Sequence, residues 1–259
     1  MPLQQNFTLL MSDGVTPFNV SVSDLDIFVK YSSEICINYG SQIGASVFML
    51  VVVLLVTKEA KRKSPVFLLN VLSLAFSSIR SLLQALYWVG PFTEIYTYFS
   101  GDYSTVPKSA YAVSITATVM TFLLLCTVEV SLVLQTHVIL RLAIKNIYRY
   151  SIMIVSLIVA LQAIGFRFAL MVLNVEAIMS LEDEYFLDRI ASAALITETI
   201  SVWYFCLIFV AKLGVTIYQR RKMKQKQWSV FSIILIMAGC TMVIPCKWHF
   251  YRIDFQSTY

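Results

Sequence analysis

The chain has 259 residues, of which 58% are hydrophobic and 14% charged, and its mean hydropathy is +0.75. Soluble domains are roughly half apolar and a quarter charged, so this composition excludes an ordinary soluble domain. The formal net charge is +5, but twelve of the 20 basic residues lie in three short loops and 11 of the 15 acids lie in the alternate segments. That distribution is typical of membrane topology and argues against binding to nucleic acid.

Residues 1–35 are polar and acidic, and we expect them to form an extracellular N-terminal tail. Both glycosylation sequons of this tail, Asn6-Phe-Thr and Asn19-Val-Ser, need a lumenal position to accept a glycan. No basic segment followed by an apolar stretch occurs here, so we expect no cleaved signal peptide.

Six apolar segments follow, each near or above the 20 or so residues that cross about 30 Å of hydrocarbon as a helix. The predicted helices span residues 36–57, 65–89, 109–140, 150–173, 190–218 and 228–245. The segments lack the ten-residue alternation of a membrane β-barrel. The predicted fold is an all-α membrane protein whose transmembrane bundle occupies residues 36–245.

The loops between these helices alternate in charge. Basic residues concentrate in the loops at 58–63, 141–149 and 220–226, whereas the loop at 91–108 is rich in aromatic residues and the loop at 174–189 is acidic. Short basic loops remain on the cytoplasmic side. The chain is therefore predicted to be a multi-pass protein of the plasma membrane with an extracellular N-terminus.

Five charged side chains lie inside predicted spans: Arg80, Glu129, Arg167, Glu198 and Lys212. Each is either a functional residue or half of a structural ion pair or hydrogen bond. The structural reading is favoured for Arg167 and Lys212, which can snorkel to an interface, and both readings stay open for Glu129.

The first span carries Gly40-x-x-x-Gly44, which lets another helix approach closely. That helix belongs either to a second copy of the chain or to the same bundle.

No catalytic constellation is visible, so the chain is not predicted to be an enzyme. The motifs of metalloproteases, serine hydrolases and phosphate-binding loops are missing, and no cysteine has metal-ligand spacing. We predict no cofactor and no metal. A six-helix transporter is an alternative, but it would need an internal repeat or broken helices at the midplane, and neither is seen.

Several motifs match one family in order and at the right spacing. They are Tyr39-Gly40-x-x-x-Gly44, RKSPVFLLNVLSL at 62–74, VEVSLVLQ at 128–135, AKL at 211–213, Arg220-Arg221, and WSVFSIILIM at 228–237. Together they resemble the fungal α-factor mating pheromone receptors. The resemblance implies a seven-transmembrane receptor bundle of which about six helices are present. It also implies a G-protein-coupled receptor that binds a secreted peptide pheromone and signals through a heterotrimeric G protein.

The resemblance also assigns roles to individual positions. The ligand-binding candidates are Tyr103, Tyr111, Ser114, Thr118 and Glu198. The positions tied to activation are Asn70, Gln135 and Pro245. The loop that engages the G protein corresponds to Arg220, Arg221, Lys222, Lys224 and Lys226. A homodimer is implied through Gly40 and Gly44.

Two departures from the family bear on this reading. Cys240 stands where the family has a glutamine. Residues 246–259 neither complete a span nor read as a soluble tail, so they are expected to be an aberrant C-terminal extension. The alternative function is therefore a non-signalling truncated receptor fragment that associates with full-length receptor through Gly40 and Gly44.

Overall fold

The computed structural model describes residues 5–11, 13–141, 146–180 and 185–222. These residues form one β-hairpin, five long helices and two short ones. The elements are, in chain order, β1 (Asn6–Leu10), β2 (Pro17–Ser21), α1 (Val22–Val56), α2 (Glu59–Arg62), α3 (Pro65–Val89), α4 (Ile95–Ser100), α5 (Lys108–Arg141), α6 (Asn146–Ser180) and α7 (Tyr185–Lys222).

Five of these helices, α1, α3, α5, α6 and α7, are long and apolar enough to cross a membrane. No more than 22% of the most apolar stretch of each is buried within the protein, as expected of helices that face lipid. The prediction of an all-α membrane protein is confirmed over these spans. The predicted helix at 228–245 and the extension at 246–259 lie outside the described residues.

The helix boundaries agree best where the sequence carries local signals. Ser64 caps α3 by accepting the Phe67 N–H at 3.2 Å, and Pro65 occupies the first turn, where its missing N–H has no consequence. The helix ends at Gly90, as predicted, and its bounds coincide with the predicted span. In contrast, α1, α6 and α7 extend beyond their apolar segments.

α1 begins at Val22, well before the apolar segment predicted from residue 36. Its N-cap is Ser21, whose Oγ accepts the Asp24 N–H at 3.1 Å, and Asp24 adds favourable negative charge in the first turn. Ser21 is also the last residue of β2, so the hairpin passes into the helix without a loop. The polar residues 22–35 are thus helical because a cap and a preceding hairpin fix their start.

The hairpin pairs β1 with β2 in antiparallel register, with Asn6 opposite Ser21 and Thr8 opposite Asn19. Its turn contains Gly14 with a φ of 68°, a left-handed conformation that glycine adopts without strain. Asp13 accepts the Thr16 hydroxyl and backbone N–H groups of the same turn, and these bonds hold the pKa of its carboxyl below the usual value. Sequence periodicity had not indicated this hairpin.

The described chain divides into two compact units. The first comprises Met1–Val128 and Arg167–Asp188, and the second comprises Glu129–Phe166 and Arg189–Tyr259.

In the first unit, α1 packs along α3 through small polar residues. The Ser78 Oγ lies 3.0 Å from the Ser46 Oγ, and the Ser81 Oγ donates to the Gln42 Oε1 at 3.3 Å. Ser81 is completely buried. Serines at such positions let two helix backbones approach closely while their hydroxyls find partners.

Enlarging Ser81 should separate α1 from α3. Ser81→Val is expected to lower the free energy of unfolding by about 1–3 kcal/mol, because Val is larger than Ser by one heavy atom and position 81 is completely buried. Ser81→Ala removes one long hydrogen bond and should lower it by only about 0.6 kcal/mol. Thermal unfolding of the detergent-solubilised protein measures both, with Leu82→Val on the exposed face as control. Equal effects of Val and Ala would contradict tight packing at this position.

Candidate functional site

Aromatic side chains gather where the first unit carries the hairpin and the segment between α3 and α5. We call this set the aromatic cap, and its members are Phe28, Tyr31, Tyr87, Trp88, Phe92, Tyr98, Phe99, Tyr103 and Tyr111. The segment that was predicted only as an aromatic loop contains a 3₁₀ turn at Pro91–Thr93 followed by α4. A left-handed Gly101 with a φ of 67° ends α4.

Phe92 is the centre of one half of the aromatic cap. Its ring centroid lies 4.9 Å from Tyr111, 5.5 Å from Tyr87 and 6.1 Å from Tyr103. Tyr103 and Tyr111 are two of the predicted ligand-binding residues. The half-buried Phe92 ring therefore contacts both tyrosines, and each such pair is stabilising by about 0.5–1.5 kcal/mol beyond burial.

The other half of the aromatic cap joins α1 to α4. Phe28 is 8% exposed and packs against Tyr98 at 4.4 Å and Phe99 at 5.8 Å between centroids. Tyr31 contacts Trp88 at the end of α3 at 5.5 Å. Tyr98 remains 53% exposed, so this half buries Phe28 while presenting an aromatic face outward.

The predicted residues on α5 form one stripe that begins at the aromatic cap. Tyr111, Ser114 and Thr118 recur at helical spacing and so share a face of α5. The Thr118 hydroxyl donates to the Ser114 carbonyl at 3.1 Å, which leaves its oxygen lone pairs as acceptors. Thr121 continues the stripe, where its Oγ1 donates to the Ala117 carbonyl at 2.8 Å and accepts the Arg80 Nε–H at 3.1 Å.

Glu198, the remaining ligand-binding candidate, lies on α7 in the second unit and is partly buried. The structure therefore brings Tyr103, Tyr111, Ser114 and Thr118 together in the first unit, whereas Glu198 belongs to the other unit.

The second unit contains a buried polar centre at Glu129. Both Glu129 and Ser201 are fully buried, and the Ser201 Oγ donates to the Glu129 Oε2 at 2.8 Å. The other carboxyl oxygen, Oε1, has no hydrogen-bond partner within the part of the chain that the structure describes. The sequence left two readings open for Glu129, a functional residue or one satisfied by structural hydrogen bonds. The structure shows such a bond at only one of its two carboxyl oxygens.

A second polar contact in this unit joins α6 to α7. The buried Ser156 Oγ donates to the Ile152 carbonyl at 2.8 Å and lies 3.2 Å from the Tyr204 hydroxyl. Sequence reasoning missed Ser201 and Tyr204. The available signal was their spacing of three residues on α7, which places both on one face of that helix.

The positions tied to activation fall in different parts of the chain. Asn70 lies on α3 in the first unit, and its backbone carbonyl accepts the Ser73 hydroxyl at 2.9 Å. Gln135 lies on α5 in the second unit, where its Nε2 donates to the Ser131 Oγ at 3.0 Å. Pro245 lies outside the described residues.

One residue of the first basic loop, Arg62, makes hydrogen bonds that hold the end of α1. Arg62 donates from Nε to the Thr57 carbonyl at 3.1 Å and from Nη2 to the Leu54 carbonyl at 2.9 Å. Arginine near a helix C-terminus satisfies carbonyls that have no partner in the helix. Lys58 and Lys63 remain exposed.

The third basic loop begins within a helix. Arg220, Arg221 and Lys222 are the last residues of α7, and Lys224 and Lys226 lie outside the described residues.

Gly40 and Gly44 lie on an exposed face of α1. A Cβ added at either position would meet no atom within 4 Å among the described residues. Within that part of the chain, no helix uses the close approach that the two glycines permit.

The pairing at Glu129 can be tested by removing its donor. Ser201→Ala should lower the free energy of unfolding by about 1–3 kcal/mol, because the carboxyl oxygen that accepted this hydroxyl would be buried without a partner. Ser192→Ala, an exposed serine of the same helix, serves as the control. Both are measured by thermal unfolding in detergent, and equal midpoints for the two variants would mean that the bond does not stabilise the fold.

Comparison with known proteins places these features in one family. The model of the family described as fungal pheromone mating factor STE2 GPCR matches residues 1–257. The pheromone alpha factor receptor of Lachancea kluyveri is 28% identical over 248 residues, which are 93% of this chain and 55% of that protein. The corresponding receptor of Saccharomyces cerevisiae is 25% identical over 246 residues, which are 93% of this chain and 54% of that protein.

The chain spans about half the length of the curated relatives it matches. The family match extends over nearly all of the sequence, including the hairpin, the aromatic cap and all five described spans. This multi-pass membrane protein therefore belongs to the fungal pheromone mating factor receptor family, as its sequence motifs predict.

Proposed function

We propose that this chain is a plasma-membrane receptor for a secreted peptide mating pheromone of the α-factor type and that it signals through a heterotrimeric G protein. The observation that carries the proposal is the family match over residues 1–257, together with relatives named pheromone alpha factor receptor. The domain limits at residues 35 and 245 belong to this proposal as well.

The proposed orientation puts the N-terminus outside the cell. Exposed Lys58 and Lys63 near the end of α1 support it, because basic residues remain in cytoplasmic loops. The exposed sequon residues Asn6 and Asn19 support it from the opposite end of α1. We propose both as glycan acceptors, and Thr8, the hydroxyl residue of the first sequon, donates to the Asn19 Oδ1 at 2.9 Å.

The proposed ligand site combines the aromatic cap with the stripe on α5. Acidic residues of the tail and the extracellular loops would attract basic groups of the peptide and raise the rate of encounter. The exposed face of the aromatic cap would hold apolar side chains, and Tyr103, Tyr111, Ser114 and Thr118 would contact the part that enters the bundle. Glu198 is proposed as a further ligand contact.

Signalling is proposed to depend on a shift of the fifth and sixth spans that peptide binding favours. Asn70, Gln135 and Pro245 are the proposed activation positions. The basic segment formed by Arg220, Arg221, Lys222, Lys224 and Lys226 would then engage the G protein. As α7 reaches Lys222, the first part of this segment would be presented on a helix.

Replacing both Lys224 and Lys226 by Ala should separate binding from signalling. We expect unchanged pheromone affinity and at least a tenfold loss of G-protein activation, because the substitutions remove charge only from the proposed docking segment. Receptor expressed from its own locus is assayed by pheromone binding to cells and by nucleotide exchange on the G protein. Lys58→Ala with Lys63→Ala makes the same charge change in another basic loop and should signal normally.

Association through Gly40 and Gly44 is supported by the open surface around both residues. Gly44→Leu should weaken receptor–receptor association, because it blocks close approach of a second α1. Co-precipitation of two differently tagged copies measures this, with Gly165→Leu on an equally open face of α6 as control. Undiminished association of the Gly44 variant would exclude this interface, both for a homodimer and for a truncated fragment paired with full-length receptor.

A further inference from the structure

A polar chamber of about 160 Å³ lies within the first unit between α3, α5 and the second half of α6. Its polar lining is rich in hydrogen-bond donors and contains no acidic residue. Those lining residues are Arg80, Gln84, Thr118, Thr121, Arg167 and Asn174.

The chamber faces away from lipid. Exposed apolar residues of α3, such as Leu68, Leu82 and Leu86, recur along one stripe. Arg80 and Gln84 lie roughly 140° around the helix from that stripe, at about 100° per residue. On α6 the exposed residues include Leu161, Phe168 and Val172, whereas Arg167 shares its face with buried Ala160 and Ala163.

The hydrogen bonds already made in the chamber show which donors remain for a ligand. The hydroxyls of Thr118 and Thr121 and the amide of Asn174 donate to carbonyls of their own helices. Arg80 donates its Nε–H to Thr121, which is its only hydrogen bond among the residues that the structure describes, and its two η nitrogens carry four further N–H groups. A planar guanidinium with free η donors matches the two oxygens of a carboxylate.

We propose that this chamber binds a carboxylate of the peptide ligand, so the inference rests on the proposed function. A cation is excluded by the two arginines, and a neutral group would leave the Arg80 charge unpaired at membrane depth. The volume equals that of about five water molecules, enough for a carboxylate on a short stem. Leu170 and Met171 supply the apolar wall for that stem.

Depth favours a peptide over a phospholipid headgroup. Arg80 lies nine residues before the end of α3 at Val89, or about 14 Å along the helix, and on its inner side. Thr118 belongs both to the chamber and to the stripe that descends from Tyr111 in the aromatic cap. A peptide held at the aromatic cap would therefore reach the chamber along α5, whereas headgroups remain outside about 30 Å of hydrocarbon.

The first test changes the ligand and leaves the protein intact. Pheromone purified from medium of the opposite mating type is compared with the same preparation after its carboxyl groups are converted to amides. Receptor expressed from its own locus should bind the amidated form about tenfold more weakly or worse, since a charge-assisted pair is lost. Arg80→Gln should bind both forms equally, and Arg80→Lys should keep the preference. Equal binding of both forms to the unaltered receptor overturns the proposal, as does a preference that survives in Arg80→Gln.

The second test does not depend on the pheromone. Butyrate should raise the Tm of the purified receptor in phosphatidylcholine nanodiscs, whereas butyramide should not, and Arg80→Gln should abolish the effect. Absence of any butyrate effect overturns the proposal. A shift produced instead by added phosphatidylglycerol, and dependent on Arg80, overturns it in favour of a lipid.

The two tests also distinguish this inference from the proposed function. If the unmodified and the amidated pheromone bind equally well, the proposed receptor function is unaffected, and the chamber is not part of the ligand site. Butyrate stabilisation through Arg80 in a receptor that binds no pheromone overturns the peptide as ligand, and with it the proposed function.

Discussion

Polar side chains inside apolar helices find no water to bond, so the protein itself must supply every partner. Among the described residues, this chain repeatedly meets that constraint by an arrangement in which a hydroxyl donates to a carbonyl of its own helix and accepts from a neighbouring helix, although the Glu129 Oε1 is left without a partner there. The Ser46 Oγ donates to the Gln42 carbonyl and lies 3.0 Å from the Ser78 Oγ. The Thr121 Oγ1 donates to the Ala117 carbonyl and accepts from Arg80. A hydroxyl satisfied in this way acts toward other helices as an acceptor.

Whether each hydroxyl acts as a donor or as an acceptor determines which charged group it can hydrogen-bond. Arg80 is only a donor, and its partner Thr121 has its own proton committed to a carbonyl. Glu129 accepts, and its partner Ser201 directs its hydroxyl proton to the carboxyl. Arg80 and Glu129 are therefore each matched to a hydroxyl of the complementary kind, so a substitution at either position that conserves size but not hydrogen-bonding character would remove the match.

Sequence reasoning was most successful where a local rule decides the structure. Pro65 behind the Ser64 cap and Gly90 at the opposite end fixed α3, because capping needs only neighbouring residues. It was least successful where partners come from distant segments. The apolar period of α1 did not indicate that its polar start packs Phe28 against α4, and nothing near Glu129 in sequence indicates Ser201, which is 72 residues away. The hairpin was missed because its turn depends on Asp13 and Gly14 rather than on periodicity.

Aromatic contacts connect several elements of the first unit to one another. The hairpin ends on the cap of α1, the first turns of α1 bury Phe28 under α4, and Tyr31 touches Trp88 at the end of α3. Phe92 in turn connects α3 to α5 through Tyr87 and Tyr111. Packed rings resist independent movement, so these contacts join α1, α3 and α5 through one continuous set of side chains.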